Sequence, residues 1–460
     1  MNGSQLSPRQ PYVSSIYHLL DGIAEPKFRR VFKDTMRWTL SGSANALERL
    51  LKMISFALLI IFWGCWRGEP HNPATASIDS TKSATQSHFK TTGSMTLARR
   101  YHHAVLLADG TVLIVGGLDD DSIGIDQKIA EIYDASTGVF HRTGSMQSIV
   151  RPLLAIQLDD GTALVYGQRE EWLGGPDPRP MSLNLPVEFA AELYDPKSQS
   201  FVPVPSMEQV LPGGKATLMA DGRILFSGGS SPDGVHTPGL YGSSSAELYD
   251  AKSRTWLATG SMHDPRVGHS ATCLNNGTVL IAGGRNESEP LSTAEIYDPG
   301  TGKFRQRGLM IHRRAGHTAL RLPDGDVVII GGSDAVGGSW LSAELYQAQK
   351  ERFVSAGQLY DPGLGSYGRH EIVSQSAILL LNGSILIMEI ANVRGPLMAK
   401  RRAYTEIYDP ARETSKLLDD QTTAREGSSA TLLGNGNVLI GGGQNSADTK
   451  SLSSAELYVP

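Results

Sequence analysis

Residues 99–117 read RRYHHAVLLADGTVLIVGG, and the adjacent Tyr101 and His102 stand just before an apolar run. A phenol beside an imidazole is half of a metal site. Copper(II) takes several N/O ligands in a roughly planar arrangement, so one Tyr and one His do not suffice. A second set of chemically capable residues keeps a fixed distance from Asp-Gly and Asn-Gly turns. Arg99, Arg266, Arg314 and Arg425 each lie eleven residues before the turn glycine, with Arg151 one place off; His102, His269 and His317 lie eight before it. A guanidinium is a planar fork of donors suited to carboxylate, phosphate or sugar hydroxyls. Side chains at a fixed repeat position also serve to bond the backbone of a neighbouring unit, and both readings stay open. No serine-nucleophile motif, zinc-spaced His cluster or phosphate loop is found. No metal or other cofactor is therefore expected. The two cysteines, Cys65 and Cys273, allow no disulfide framework.

The elements that hold these residues form a repeat. The turn glycines are Gly110, Gly161, Gly222, Gly277, Gly325, Gly383 and Gly436, separated by 51, 61, 55, 48, 58 and 53 residues. Asp-Gly and Asn-Gly supply the positive φ of a two-residue hairpin, so the apolar runs on either side pair antiparallel. The run after the turn ends in Gly-Gly in VLIVGG, ILFSGG, VLIAGG, VVIIGG and VLIGGG; the second copy ends in a single Gly167 and the sixth has Met388-Glu389. A second phrase of the type AEIYD follows each, leading through a polar turn to Phe140, Phe201, Trp256, Phe304, Phe353 and, in the sixth copy, Leu417. Glu131, Glu192, Glu247, Glu295, Glu344, Glu406 and Glu456 recur once per copy and read as structural. Each unit thus offers four strands in about 50 residues, a sheet too small to bury both its faces. Radial stacking of such sheets covers them and leaves few free edges.

The doubled glycine, the Tyr before an aromatic and the period resemble the kelch motif over roughly residues 85–460. That resemblance implies an all-β fold, a seven-bladed β-propeller. The seventh copy ends at Tyr458-Val459-Pro460 without a fourth strand, whereas SHFKTTGSM at 87–95 is an orphan fourth strand with Phe89 in the aromatic place. An N-terminal strand at about 85–91 is expected to complete the last blade. RRYHHAVLLADG is also similar to the copper-site stretch of galactose oxidase, whose family in addition needs a Tyr cross-linked to Cys and a His from a later domain. Here the one body cysteine, Cys273, lies inside a strand, and the pair falls on repeat positions, with Tyr101 where Gly268 and Gly316 stand.

In a propeller the first strand of each blade lines the central channel, and its start lies on the face that carries the connections between second and third strands. Arg99, Tyr101, His102, Arg151, Arg266, His269, Arg314, His317 and Arg425 are therefore expected around one channel mouth. Two long connections share that face: 168–188, with Trp172 and Arg179, and 388–404, with Arg394, Lys400, Arg401 and Arg402. Long loops on a rigid scaffold are where recognition usually resides.

Ahead of the repeat, residues 53–66 (MISFALLIIFWGCW) carry no charge and follow Arg49 and Lys52. At 1.5 Å per residue the run reaches about 21 Å, short of a hydrocarbon core of about 30 Å, and suits a signal or anchor segment. Gly64-Cys65 resembles the end of a bacterial lipoprotein lipobox, which makes Cys65 the candidate for lipidation, although Phe62 and Trp63 are bulkier than that motif's usual residues. Residues 1–52 are expected to be cytoplasmic, or to be dispensable if Met36 is the start; 67–84 read as a polar linker. The first 52 residues hold eight Lys/Arg against four Asp/Glu, so the net charge of −5 leaves −9 on the rest. An acidic body without a basic stripe argues against a nucleic-acid partner. The expectation is a monomeric, membrane-anchored, extracytoplasmic propeller that binds a protein or carbohydrate without catalysis. The alternative that the resemblance offers is a sugar-active enzyme, through sialic acid mutarotation or copper-dependent oxidation.

Overall fold

The computed structural model describes residues 88–118, 128–169, 188–205, 213–230, 242–335, 338–360, 371–394, 399–418, 423–445 and 450–460. The expected N-terminal extension, anchor segment with Cys65, and linker lie outside these residues, as do Trp172 and Arg179. Among the described residues there is no α-helix, and the strands form seven four-stranded antiparallel sheets.

Blade one shows the plan: His103–Leu106, Val112–Val115, Ile129–Asp134 and Val139–Ser145 pair in sequence order. Blades two to six repeat it at 149–204, 215–258, 270–309, 318–358 and 371–418. The first strands meet in order round a ring, and Ser429–Leu432 of blade seven meets His103–Leu106 of blade one. Every hairpin turn between first and second strands uses a glycine at positive φ, from 82° at Gly222 to 94° at Gly325. The preceding Asp or Asn side chain accepts the next backbone N–H, as Asp109 does from Thr111 at 3.0 Å. Both devices are local, which is why the turns are so legible in the sequence.

The second strands are buried from end to end: Val112–Val115, Val279–Ala282, Val327–Ile330 and Val438–Gly441 have no exposed residue. They stand mid-sheet, with a neighbouring blade on each face, so they read as continuous apolar runs. The third-strand tyrosines Tyr133, Tyr194, Tyr249, Tyr297, Tyr346, Tyr408 and Tyr458 are all buried. Each of the first five meets the fourth-strand aromatic of its own blade, with ring centroids 4.7 to 4.9 Å apart. Several also reach back to the preceding blade, Tyr194 and Tyr297 sharing hydrogen bonds with Thr143 and Thr259.

Blade seven is completed by the chain's front end. Its strands Ser429–Leu432, Val438–Gly441 and Ser454–Tyr458 are joined at the outer edge by Phe89–Ser94. Phe89 pairs with Tyr458 across that edge, their rings 5.4 Å apart, and it is buried. The strand sits slightly later than the expected 85–91, because the Thr-Gly-Ser-Met segment that follows Phe89 bonds the next blade. The Thr92 hydroxyl lies 2.8 Å from Tyr133 Oη, and the Gly93 N–H donates to Gly138 O at 2.9 Å.

Candidate functional site

Where the second strand ends in Gly-Gly, both glycines take positive φ, as at Gly283 (59°) and Gly284 (85°). The regular ladder ends there and leaves the carbonyl of the first glycine without a strand partner, which buried backbone does not tolerate. The repeat arginine fills that gap. Arg266 Nη1 donates to Gly283 O and Thr293 O, both at 2.8 Å, while its Nη2 meets Glu295 Oε1 at 3.0 Å. Arg314 makes the same bonds to Gly331 O, Ser342 O and Glu344, Arg99 to Gly116 O, Ile129 O and Glu131, and Arg425 to Gly442 O, Ser454 O and Glu456. The carbonyl of three of these arginines also accepts the N–H of the second Gly in the blade before it, Gly229 for Arg266, Gly284 for Arg314 and Gly443 for Arg99. These four side chains are therefore buried blade fasteners rather than open donors around the mouth.

The recurrent glutamate completes the fastener. Glu295 accepts the backbone N–H groups of His263 and Asp264, and Glu344 those of Ile311 and His312. Burial pushes the Glu295 carboxyl up, but the hydrogen bonds from His263 and Asp264 and the Arg266 charge outweigh it and hold it below the usual carboxylate range. Burial likewise draws Arg314 down against the pull of Glu344. Blade two departs from this plan. Its ladder continues through Gln168 and Phe189, so no carbonyls need a guanidinium, and Arg151 is exposed instead of joining the set. Glu192 is satisfied by the N–H groups of Gln147, Ser148 and Ile149.

The three histidines fasten neighbouring blades. His102 Nε2 lies 2.7 Å from Ser429 Oγ of blade seven, His317 Nε2 2.9 Å from Ser270 Oγ of blade four, and His269 Nε2 3.0 Å from Ser227 Oγ of blade three. All three are buried, and their rings pack against the first Gly of the preceding blade's Gly-Gly. Burial, with nearby positive charge, lowers His102 and His317 to about 3 and takes His269 well below its ordinary value. They are neutral across the physiological range.

Blade six replaces both devices. Gln375 takes the histidine position and donates at 2.5 Å to Glu389, which stands where other blades have the first glycine. Burial first, and then the neighbouring Glu406, push Glu389 up to about 7.

Nine residues before the turn glycine the repeat places Gly213, Gly268, Gly316 and Gly427, all at positive φ, with Tyr101 at φ 55° in blade one. Their backbones link from blade to blade: Gly268 N–H to Gly213 O, Gly316 N–H to Gly268 O, Tyr101 N–H to Gly427 O. This girdle rims the channel mouth in glycine backbone in four blades, and Tyr101, Pro152 and Ser374 take the same position in blades one, two and six. The Tyr101 ring is 52% exposed, lies over Gly427, and its hydroxyl donates to Glu426 Oε1 at 2.9 Å. The mouth also holds Lys215, the first residue of blade three's inner strand, which the sequence reading missed because it has no counterpart in the repeat.

The long connections take shape only in part. In blade six, Ile385–Arg394 and Ala399–Asp409 pair as a ribbon up to Arg394 opposite Ala399, with Asn392 opposite Arg401. The side chains of Arg394 and Arg401 lie outside the described set. The inner strands of blades two and six are 9 residues long against 4 in the other five. Two blades therefore stand taller than the rest at this face.

Comparison with known proteins bears on the repeat directly. The Kelch motif profile matches residues 265–307, the stretch with Arg266, His269, Gly283-Gly284, Glu295, Tyr297 and Phe304. Residues 265–307, one copy of the repeat, match the kelch motif. The propeller is similar to a solved fungal alcohol oxidase of the AA5 family in complex with copper. The TM-score is 0.58 at 16% identity, over 81% of this chain and 76% of that one. At that identity the likeness shows the fold alone. No curated protein matches the chain.

The residues do not fit a copper centre of that kind. His102 is enclosed between blades with Nε2 on Ser429, while the Tyr101 ring stays on the surface with its hydroxyl on Glu426. Cys273 sits in the inner strand of blade four, with its thiol toward Leu274 O. Among the described residues no three His, Cys, Asp or Glu side chains gather to hold a metal ion.

Proposed function

We propose that the propeller is a non-catalytic binding scaffold that holds a protein or carbohydrate partner on the face carrying the channel mouth. The observation that carries this reading is the unequal height of the blades. Blades two and six extend their ladders past the point where the others stop, and the blade six ribbon brings Arg394, Lys400, Arg401 and Arg402 beyond the Gly-Gly level. Long connections held on a rigid scaffold are where binding residues concentrate. The buried Arg99, Arg266, Arg314 and Arg425 support the same view, because each is paired with the recurrent glutamate of its own blade. The apolar run ending at Cys65 is read as a lipid or membrane anchor, which places the propeller outside the cytoplasm.

The test uses the full-length chain, purified in detergent, against its own cell extract and a carbohydrate array. The expected result is a defined partner that is lost when residues 392–401 are replaced by a two-residue Asn-Gly turn, with the melting temperature unchanged. Copper uptake with alcohol oxidation by the unaltered chain would overturn the reading.

A further inference from the structure

Lys215 is exposed to solvent, yet burial among surrounding protein lowers its pKa, which is the situation of a side chain in an open channel. Its charge acts on His103 of blade one, His269 of blade four and His317 of blade five. Lys215 opens the inner strand of blade three, the strand of each blade that lines the channel. Among the described residues it has no hydrogen bond and no ion pair with a carboxylate. A cation held in a partly desolvated space without a counter-charge is a cost to the fold unless something else neutralises it.

The neighbouring groups define what that partner is. Burial lowers His103, so it adds no positive charge beside the Lys215 ammonium. The girdle glycines leave bare backbone at the rim, which permits close approach. Tyr101 is held at positive φ, a conformation that costs a bulky residue of order 1–3 kcal/mol and is typical of ligand-contacting positions. Its half-exposed ring offers a flat apolar face, suited to a sugar or an aromatic ring.

We infer that the channel mouth binds a small organic carboxylate that carries a ring, with the carboxylate on the Lys215 ammonium and the ring against Tyr101. This site goes beyond the scaffold reading and stands independently of it. A single ammonium suits a monoanion, and its place on a channel-lining strand limits the ligand to what enters a seven-bladed channel.

The experiment labels the lysines of the full-length chain by reductive 13C-methylation and follows their NMR signals. The Lys215 signal is assigned by its loss in Lys215→Met. Glucuronate and benzoate are the probes, with glucose as the uncharged control and inorganic phosphate as the competing anion. Both carboxylates are expected to shift the Lys215 signal saturably, and glucose to leave it in place. Lys215→Met should weaken glucuronate binding by calorimetry at least about tenfold, the worth of one charge-assisted hydrogen bond. Tyr101→Phe should keep the affinity within about twofold, and Tyr101→Ala should lose about fivefold or more. Absence of a saturable shift with either carboxylate overturns the inference, and this readout needs no variant to fold. So does a response to phosphate in place of the carboxylates, or unchanged affinity in Lys215→Met. Macromolecular capture retained by Lys215→Met, with carboxylate binding lost, separates this site from the raised blades.

Discussion

Arg266 and Glu295 lie 3.0 Å apart with neither side chain exposed, and between them they satisfy two strand carbonyls, two linker N–H groups and each other. The pair does not compete with water, so it cannot be treated as a surface ion pair worth a few tenths of a kcal/mol. Removing one partner leaves a buried charge and orphaned backbone groups. Arg266→Ala is expected to cost about 3–5 kcal/mol, read as a large fall in the denaturation midpoint. Arg223→Ala, which breaks a partly exposed pair with Asp221, should cost under about 1 kcal/mol. Equal effects from the two would show that the buried fastener is not what holds the blade.

Gly283 and Gly277 separate steric from conformational demands. A Cβ on Gly283 would come within 2.6 Å of Arg314 O and 2.8 Å of His317 Cε1, and the residue has φ 59°. Gly277 has φ 82° with nothing near its Cβ direction. Gly277→Ala should cost about 1–2 kcal/mol for the left-handed backbone alone. Gly283→Ala must in addition push the next blade away, and should cost clearly more or fail to fold. Urea denaturation of the two variants decides it.

The neutral histidines predict acid sensitivity. In the folded protein His102 and His317 sit at about 3 and His269 well below its ordinary value, while the unfolded chain titrates near 6.5. Between those values the unfolded state binds more protons, so stability is full above pH 6.5 and falls as the pH drops through that point. From pH 7.5 to 5.5 the loss is about 1.4 kcal/mol per histidine, or about 4 kcal/mol for the three. His269→Gln should flatten the slope by about a third, measured by urea denaturation across that range. An unchanged slope would mean that the ring is not enclosed.

Much of this fold is legible in the sequence because its determinants are local. The turn glycines, the Asp and Asn caps and the apolar second strands each announce themselves within ten residues, and the missing fourth strand after Tyr458 points to Phe89. The functional reading of Arg266 and His269 was open because spacing gives a position but not a partner. Whether a guanidinium meets a ligand or Glu295 depends on the ladder breaking at Gly283-Gly284, which is a tertiary fact. Recurrence of Glu295 and its equivalents beside those glycines was the available signal. Arg151 shows its converse: without Gly-Gly in blade two, the arginine has nothing to fill and turns to solvent. Lys215 left no trace in the repeat, since a residue that departs from a pattern carries no register of its own.

Closure of the ring by the front strand predicts a penalty out of proportion to the strand's size. Phe89 is buried against Tyr458, and Thr92 and Gly93 bond blade one, so this segment joins the last blade to the first. Phe89→Ala removes a buried ring and should cost about 3–5 kcal/mol. Thr92→Val keeps the volume but takes a hydrogen bond from Tyr133, and should cost about 1–2 kcal/mol. Because the strand covers the outer edge of blade seven, its loss also frees the edge at Ser454–Tyr458, and unpaired edges recruit other chains. Deleting residues 88–94 should therefore lower the melting temperature and produce concentration-dependent association in sedimentation. A monomeric deletion variant with an unaltered melt would place the closing contact elsewhere.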